Sequence, residues 1–68
     1  MFERIVGSYK IKSDGSCIKG TNAIIYSLYD NDGYVGMMTF HKNQIPNNDE
    51  ELKEMCDWKK QEELKWKN

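Results

Sequence analysis

Arginine is nearly missing from this sequence. Arg4 is the only one among ten basic side chains, so the forked contacts that grip phosphate and guanine have almost no donor. Charge of one sign is missing too: ten basic residues face eleven acidic ones, for a net charge of −1. No block of five like charges occurs, which argues against a polyanion mimic and a strongly electrostatic nucleic-acid binder. Cysteine appears only as Cys17 and Cys56, with no C-x-x-C pair and no framework of four, and this predicts two reduced, separate thiols. Long apolar runs are absent, and Met1 to Gly7 alternates in polarity where a signal peptide would carry an apolar core. The expected setting is the cytoplasm of a bacterial or host cell.

The same scarcity limits chemistry. His41 is the single histidine, so acid–base or Cys–His catalysis would have to pass through it, and nothing in its spacing to either cysteine favours a dyad. Cys17, His41, Cys56 and one carboxylate could supply four zinc ligands, but the closely spaced ligand pairs of structural zinc sites are lacking. The five glycines are scattered and form no phosphate loop or nucleophile elbow. Asp30-Asn31-Asp32-Gly33 fails as a calcium loop on register and on its missing distal glutamate. A non-enzymatic protein with no metal and no cofactor is expected.

What is present is a pattern of short strands and one helix. At 68 residues there is room for one domain with a thin core, a size at which dense helix packing or self-association commonly adds stability. Polarity alternates from Glu3 to Lys12, with Ile5, Gly7, Tyr9 and Ile11 on one side and Val6 as the exception. Ser13-Asp14-Gly15-Ser16 carries a turn signature. Cys17 to Asn22 reads equally well as a short return strand or as loop.

Ala23 to Asp30 and Tyr34 to Lys42 are rich in Ile, Tyr, Met, Thr and Phe, and with Asn31-Asp32-Gly33 between them they predict a hairpin. A three-residue loop with Gly33 in a bulge pairs Ile24 with Phe40, Tyr26 with Met38 and Leu28 with Gly36, gathering the large apolar groups on one face. The other face then holds Ile25, Tyr29, Val35, Met37, Thr39 and His41.

Pro46 keeps the connector 43–48 extended. Asn48 can cap a helix over residues 49–66, with Glu51 placed as in a capping box. Acids lead this segment and lysines follow, as the helix dipole favours, and Glu63 with Lys67 forms a favourable i,i+4 pair. Leu52, Met55, Cys56 and Trp66 share a stripe, whereas Trp58 lies at its edge and Leu64 off it.

Val6-Gly7-Ser8-Tyr9-Lys10-Ile11, Ile24-Ile25-Tyr26 and Asp32-Gly33-Tyr34 resemble the opening strands of lipocalin-like domains. The chain is too short to close such a barrel, and Tyr9 stands where those domains carry Trp, so neither the family nor its ligand binding is carried over.

The expected architecture is α+β, a small antiparallel meander of three to four strands, from strand region 3–42, packed on one C-terminal helix. One helix covers one face of a sheet. Ile25, Tyr29, Val35, Met37 and His41 on the second face, with Trp58, Leu64 and Trp66 toward the helix end, are the predicted partner-binding residues. The expected function is a small protein-binding module that regulates or stoichiometrically inhibits a larger intracellular protein, in the manner of phage or mobile-element accessory proteins, with homodimerisation as one way to bury a face. The competing expectation is a nucleic-acid-binding sheet using its tyrosines and lysines. A small-ligand site at a dimer interface stands third.

Overall fold

The computed structural model describes residues 2–66, except for the side chain of Trp66. Four strands, β1 (Phe2–Val6), β2 (Tyr9–Ser13), β3 (Ala23–Asp30) and β4 (Gly33–His41), precede one helix, α1 (Asp49–Trp66). The strands form one antiparallel sheet in the order β1-β2-β3-β4, a meander with α1 packed on one face. The fold is therefore the small α+β arrangement expected from the sequence.

The first alternating stretch folds as two strands. Gly7 and Ser8 turn the chain so that Val6 pairs with Tyr9, and Gly7 has φ 59°, the left-handed value a two-residue hairpin with glycine first requires. The reversal moves Val6 into the core and leaves Ile5, expected beside Tyr9 and Ile11, on the opposite face and 65% exposed. Val6, the exception to a single alternating strand, belongs to the first of two.

Ser13 to Ser16 does not reverse the chain. Residues beyond it return to β3 along the same side as β2: Cys17 bridges Ile24, the Ile18 N–H donates to Ala23, and the Ile25 N–H donates to Ser16. Segment 16–18 thus prolongs β2 as a short bridge, and the reversal falls between Ile18 and Ala23.

In the central hairpin the register is the one that sorts side chains: Ile24 with Phe40, Tyr26 with Met38, Leu28 with Gly36. The bulge lies elsewhere than expected. Asp30 pairs with Gly33 and Tyr29 with Tyr34, so the loop is Asn31-Asp32, and the register shifts between Leu28 and Tyr29. Val35 has no direct partner opposite it and takes up the extra residue. Gly33 holds φ 117° at the foot of the loop, where the Asp30 carboxylate accepts the Asp32 N–H at 2.7 Å.

The helix begins as its sequence requires. Asn48 Oδ1 accepts the N–H groups of Glu50 and Glu51 at 2.8 and 3.3 Å, satisfying donors that the first turn leaves open. The helix then crosses the sheet diagonally, with a polar tether or close contact at each strand. Arg4 of β1 reaches Asp49 at 2.6 Å and the Pro46 and Asn47 carbonyls at 2.5 and 2.9 Å. Tyr9 of β2 donates to Asp57. Asp30 at the end of β3 meets Lys60 at 2.8 Å. Glu63 lies over Gly36 of β4. Beneath these contacts Leu52 and Cys56 press on Val6, Tyr9, Ile11, Tyr26, Leu28, Met38 and Phe40, and Phe2, Tyr26 and Phe40 form an edge-to-face ladder with centroids 5.3 and 5.6 Å apart. Glu63 pairs with Lys59 at 2.9 Å; its expected partner Lys67 lies outside the described residues.

Candidate interaction surfaces

The strand pairings place Glu3 and Ile5, Lys10 and Lys12, Ile25, Ser27 and Tyr29, and Met37, Thr39 and His41 on the face away from α1. Among the described residues no other helix or strand covers this face. Lys10 and Tyr29 are direct cross-strand partners, as are Lys12 and Ser27. The Tyr29 ring meets Tyr34 edge-on at 5.6 Å, and the Lys12 ammonium sits 5.8 Å from its centroid, within the range of a cation–π contact. Glu3 approaches the same ammonium at 3.8 Å. The result is a ridge of aliphatic and aromatic groups flanked by two lysines and one glutamate.

Ile25, Tyr29, Met37 and His41 lie on the open face as expected, Ile25 and Tyr29 half-buried and Met37 and His41 exposed. Val35 does not. The bulge turns it toward the helix, where it packs against the core and borders a hollow with Lys60, Glu63 and Leu64. A strict period of two assigns Val35 to the open face, and the displaced bulge breaks that period at Val35 itself. Trp58 is 67% exposed and Leu64 is exposed, but they belong to different surroundings: Leu64 sits beside Val35 and Tyr34, whereas Trp58 faces the other flank of the helix. The side chain of Trp66 lies outside the described residues.

Trp58 belongs to a second surface. The diagonal course of α1 leaves a wedge between its first half and the outer part of β4, a groove of about 530 Å³ lined by Met37, Met38, Phe40, Met55 and Trp58, with Glu51, Glu54 and Lys59 at its rim. Met55 and Met38, both placed in the core by their periodicity, form part of its wall. Periodicity assigns a residue to a side of its own element; it cannot say where a helix and a sheet diverge.

The three residues weighed for catalysis or zinc occupy different settings. Cys17 is exposed on the bridge segment and His41 is exposed at the end of β4. Cys56 is buried beneath α1, and burial first, then the neighbouring Asp57 charge, pushes its thiol up to about 11, which keeps it protonated and unreactive at neutral pH. Among the described residues no group of three His, Cys, Asp or Glu side chains is arranged to hold a metal ion. Burial and the hydrogen bond to Asp57 raise the Tyr9 hydroxyl above its ordinary value; that hydrogen bond, ahead of Lys53, holds the Asp57 carboxyl below its own. This pair sits under the helix as a structural tether. No helix among the described residues is long and apolar enough to cross a membrane.

No family model, curated protein or solved structure matches the chain, and its functional reading rests on these two surfaces.

Proposed function

We propose that this protein is a non-enzymatic binding module, a small regulator or stoichiometric inhibitor of a larger intracellular protein, and that it docks through the open face of its sheet. The observation that carries this reading is the uncovered apolar ridge: Ile5, Tyr34 and Met37 are 65, 56 and 53% exposed and sit with Tyr29 and Ile25 on one side of a rigid sheet. Apolar groups clustered on the surface of a small domain signal a contact surface, and Tyr and Met are enriched at the cores of interfaces. Lys10 on this face has no acidic partner among the described ion pairs, so the complementary patch is apolar with a carboxylate at its rim. Affinity capture from the native cell, comparing the wild-type chain with Ile5→Glu and Tyr29→Ala, tests the assignment. Loss of one defined partner with both variants, while Gln61→Glu on the exposed side of the helix retains it, supports the open face. Retention by Ile5→Glu and Tyr29→Ala sinks it.

A second reading, single-stranded nucleic acid on the same face, draws on Lys12 over Tyr29 and the neighbouring Tyr34. Stacking on exposed tyrosines tolerates any base. Glu3 beside Lys12 and the overall charge of −1 weaken this reading. Oligonucleotide binding that falls steeply with salt and disappears in Tyr29→Ala would displace the protein-partner reading.

A further inference from the structure

The two edges of the sheet are built differently. β1 is five residues long and carries Glu3 and Arg4. β4 is nine residues long, Gly-Tyr-Val-Gly-Met-Met-Thr-Phe-His, with no acid, lysine, arginine or proline. Charges, prolines, shortness and bulges are what ordinarily keep an edge strand from pairing with another chain; β4 has none of the first three, and its one bulge, at Val35, lies outside the stretch from Met37 to His41.

The orientation of its main chain follows from the register. Lys42 donates its N–H to the Asn22 carbonyl at 3.1 Å, one step beyond the Ala23–His41 pair. Bonding alternates along an antiparallel strand, so Phe40, Met38 and Gly36 bond to β3, while Met37, Thr39 and His41 turn their N–H and C=O groups outward. The His41 carbonyl is taken by the Gln44 N–H at 2.9 Å. Among the described residues the main-chain groups of Met37 and Thr39 make no hydrogen bond beyond the sheet ladder.

We infer that this edge pairs antiparallel with β4 of a second copy, about a twofold axis at Met38, joining two sheets into one of eight strands. In that register Met37 of each copy faces Thr39 of the other, and every outward group of both residues gains a partner. The axis is perpendicular to the sheet, so both helices stay on one side.

The groove wall supports the same occupant. Along α1 it presents Glu51, Glu54, Met55, Trp58 and Lys59 in that order, acids first and the base last. A twofold reverses the order in the second copy, bringing Glu51 and Glu54 of one helix toward Lys59 of the other and Met55 and Trp58 of both together above the joined strands. Lys59 already bonds Glu63 and has further donors to offer. An extended basic peptide could satisfy the acids alone; the antiparallel copy satisfies both ends of the row. Of the proposed docking ridge Met37 enters this seam, whereas Ile5 on β1 and Tyr29 on β3, the residues that test the ridge, lie off the β4 edge, so the dimer stands or falls independently of the proposed docking surface.

Sedimentation equilibrium and disulfide trapping test it on the full chain. The wild type is expected to sediment as two chains. Thr39→Pro, which removes an outward N–H and no bond to β3, is expected to sediment as one chain with its near-ultraviolet circular dichroism retained. As a check that does not depend on that variant folding, Met37→Cys and Thr39→Cys are made separately in a Cys17→Ser background. Direct partners across an antiparallel pair lie at roughly 5.5 Å between Cα atoms, within disulfide reach. A covalent dimer is expected on oxidising the mixture of the two and not on oxidising either alone. A wild-type chain that sediments as one at every concentration overturns the inference. So does a dimer that gives no mixture-specific cross-link, which would place the contact on another surface.

Discussion

The Tyr9 hydroxyl donates to the Asp57 carboxylate, fastening the middle of α1 to β2 through a residue whose ring is buried in the core. Tyr9→Phe keeps the ring and removes the donor. A hydrogen bond to a charged acceptor is worth about 1.5–3 kcal/mol, and the partial exposure of Asp57 brings the expected loss to the lower end of that range. Urea unfolding monitored by circular dichroism reads it as a lower midpoint at unchanged slope. An unchanged midpoint would mean that solvent replaces the bond at no net cost.

The same contact predicts how stability follows pH. The Asp57 carboxyl is lowered chiefly by Tyr9, and the Asp30 carboxyl chiefly by the Lys60 ammonium. A carboxyl whose folded pKa is depressed contributes stability that is complete above its unfolded value, about 4, and is lost as pH falls through the folded value. The urea midpoint is therefore expected to be level from neutrality to about pH 5 and to drop below about pH 4. Asp57→Asn can still accept from Tyr9 but does not titrate, so its acid limb should be shallower. Lys60 and Tyr9 are raised, so their contributions are complete below their ordinary values, near pH 10, and fade above them. An Asp57→Asn profile with the wild-type slope would remove Asp57 from the account.

Much of this arrangement is legible from local chemistry. Asn48 followed by Asp49-Glu50-Glu51 marks the helix start because the first turn has donors that only a side-chain acceptor can reach. The pairing of Ile24 with Phe40 and Tyr26 with Met38 is legible because any other register mixes the faces. The turn at Gly7-Ser8 is hidden, since Ile5, Gly7, Tyr9 and Ile11 continue one alternation across it, and only Val6 disagrees. The bulge is hidden for a different reason. Gly33 is the residue best suited to absorb an extra position, yet the chain absorbs it at Val35, where Val35 and Gly36 both come to face the helix. The diagonal crossing of α1 is set by Arg4, Tyr9, Asp30 and Glu63 acting across long sequence separations, and no short window contains it. The groove at Trp58 follows from that crossing.

Gly7 gives a direct test of the first hairpin. At φ 59° an L-residue carries a strain of about 1–2 kcal/mol, and a Cβ there would only brush the Lys53 side chain at 3.5 Å. Gly7→Ala is therefore expected to destabilise by about 1 kcal/mol through backbone conformation alone, whereas Gly7→Asn, which tolerates the left-handed region, should recover part of the loss. Equal losses for the two variants would point to packing instead of φ.

Gly36 lies beneath the end of the helix, and its effect depends on what sits above it. A Cβ added there would fall 3.0 to 3.1 Å from the Glu63 side chain, which Lys59 holds at 2.9 Å. Two effects of opposite sign then compete in Gly36→Ala. Removing backbone freedom from the unfolded chain favours the variant by about 0.4–1 kcal/mol. Displacing Glu63 from Lys59 costs about 0.3–0.5 kcal/mol, as for other i,i+4 pairs, along with the crowding itself. The single variant is expected to change stability little. In a Glu63→Ala background the obstruction is gone, and Gly36→Ala should stabilise by the full entropic term, giving a coupling of about 0.5–1 kcal/mol in a double-mutant cycle. Additive effects in that cycle would show that Glu63 does not rest on Gly36, and the last tether of the diagonal helix would have to be sought elsewhere on β4.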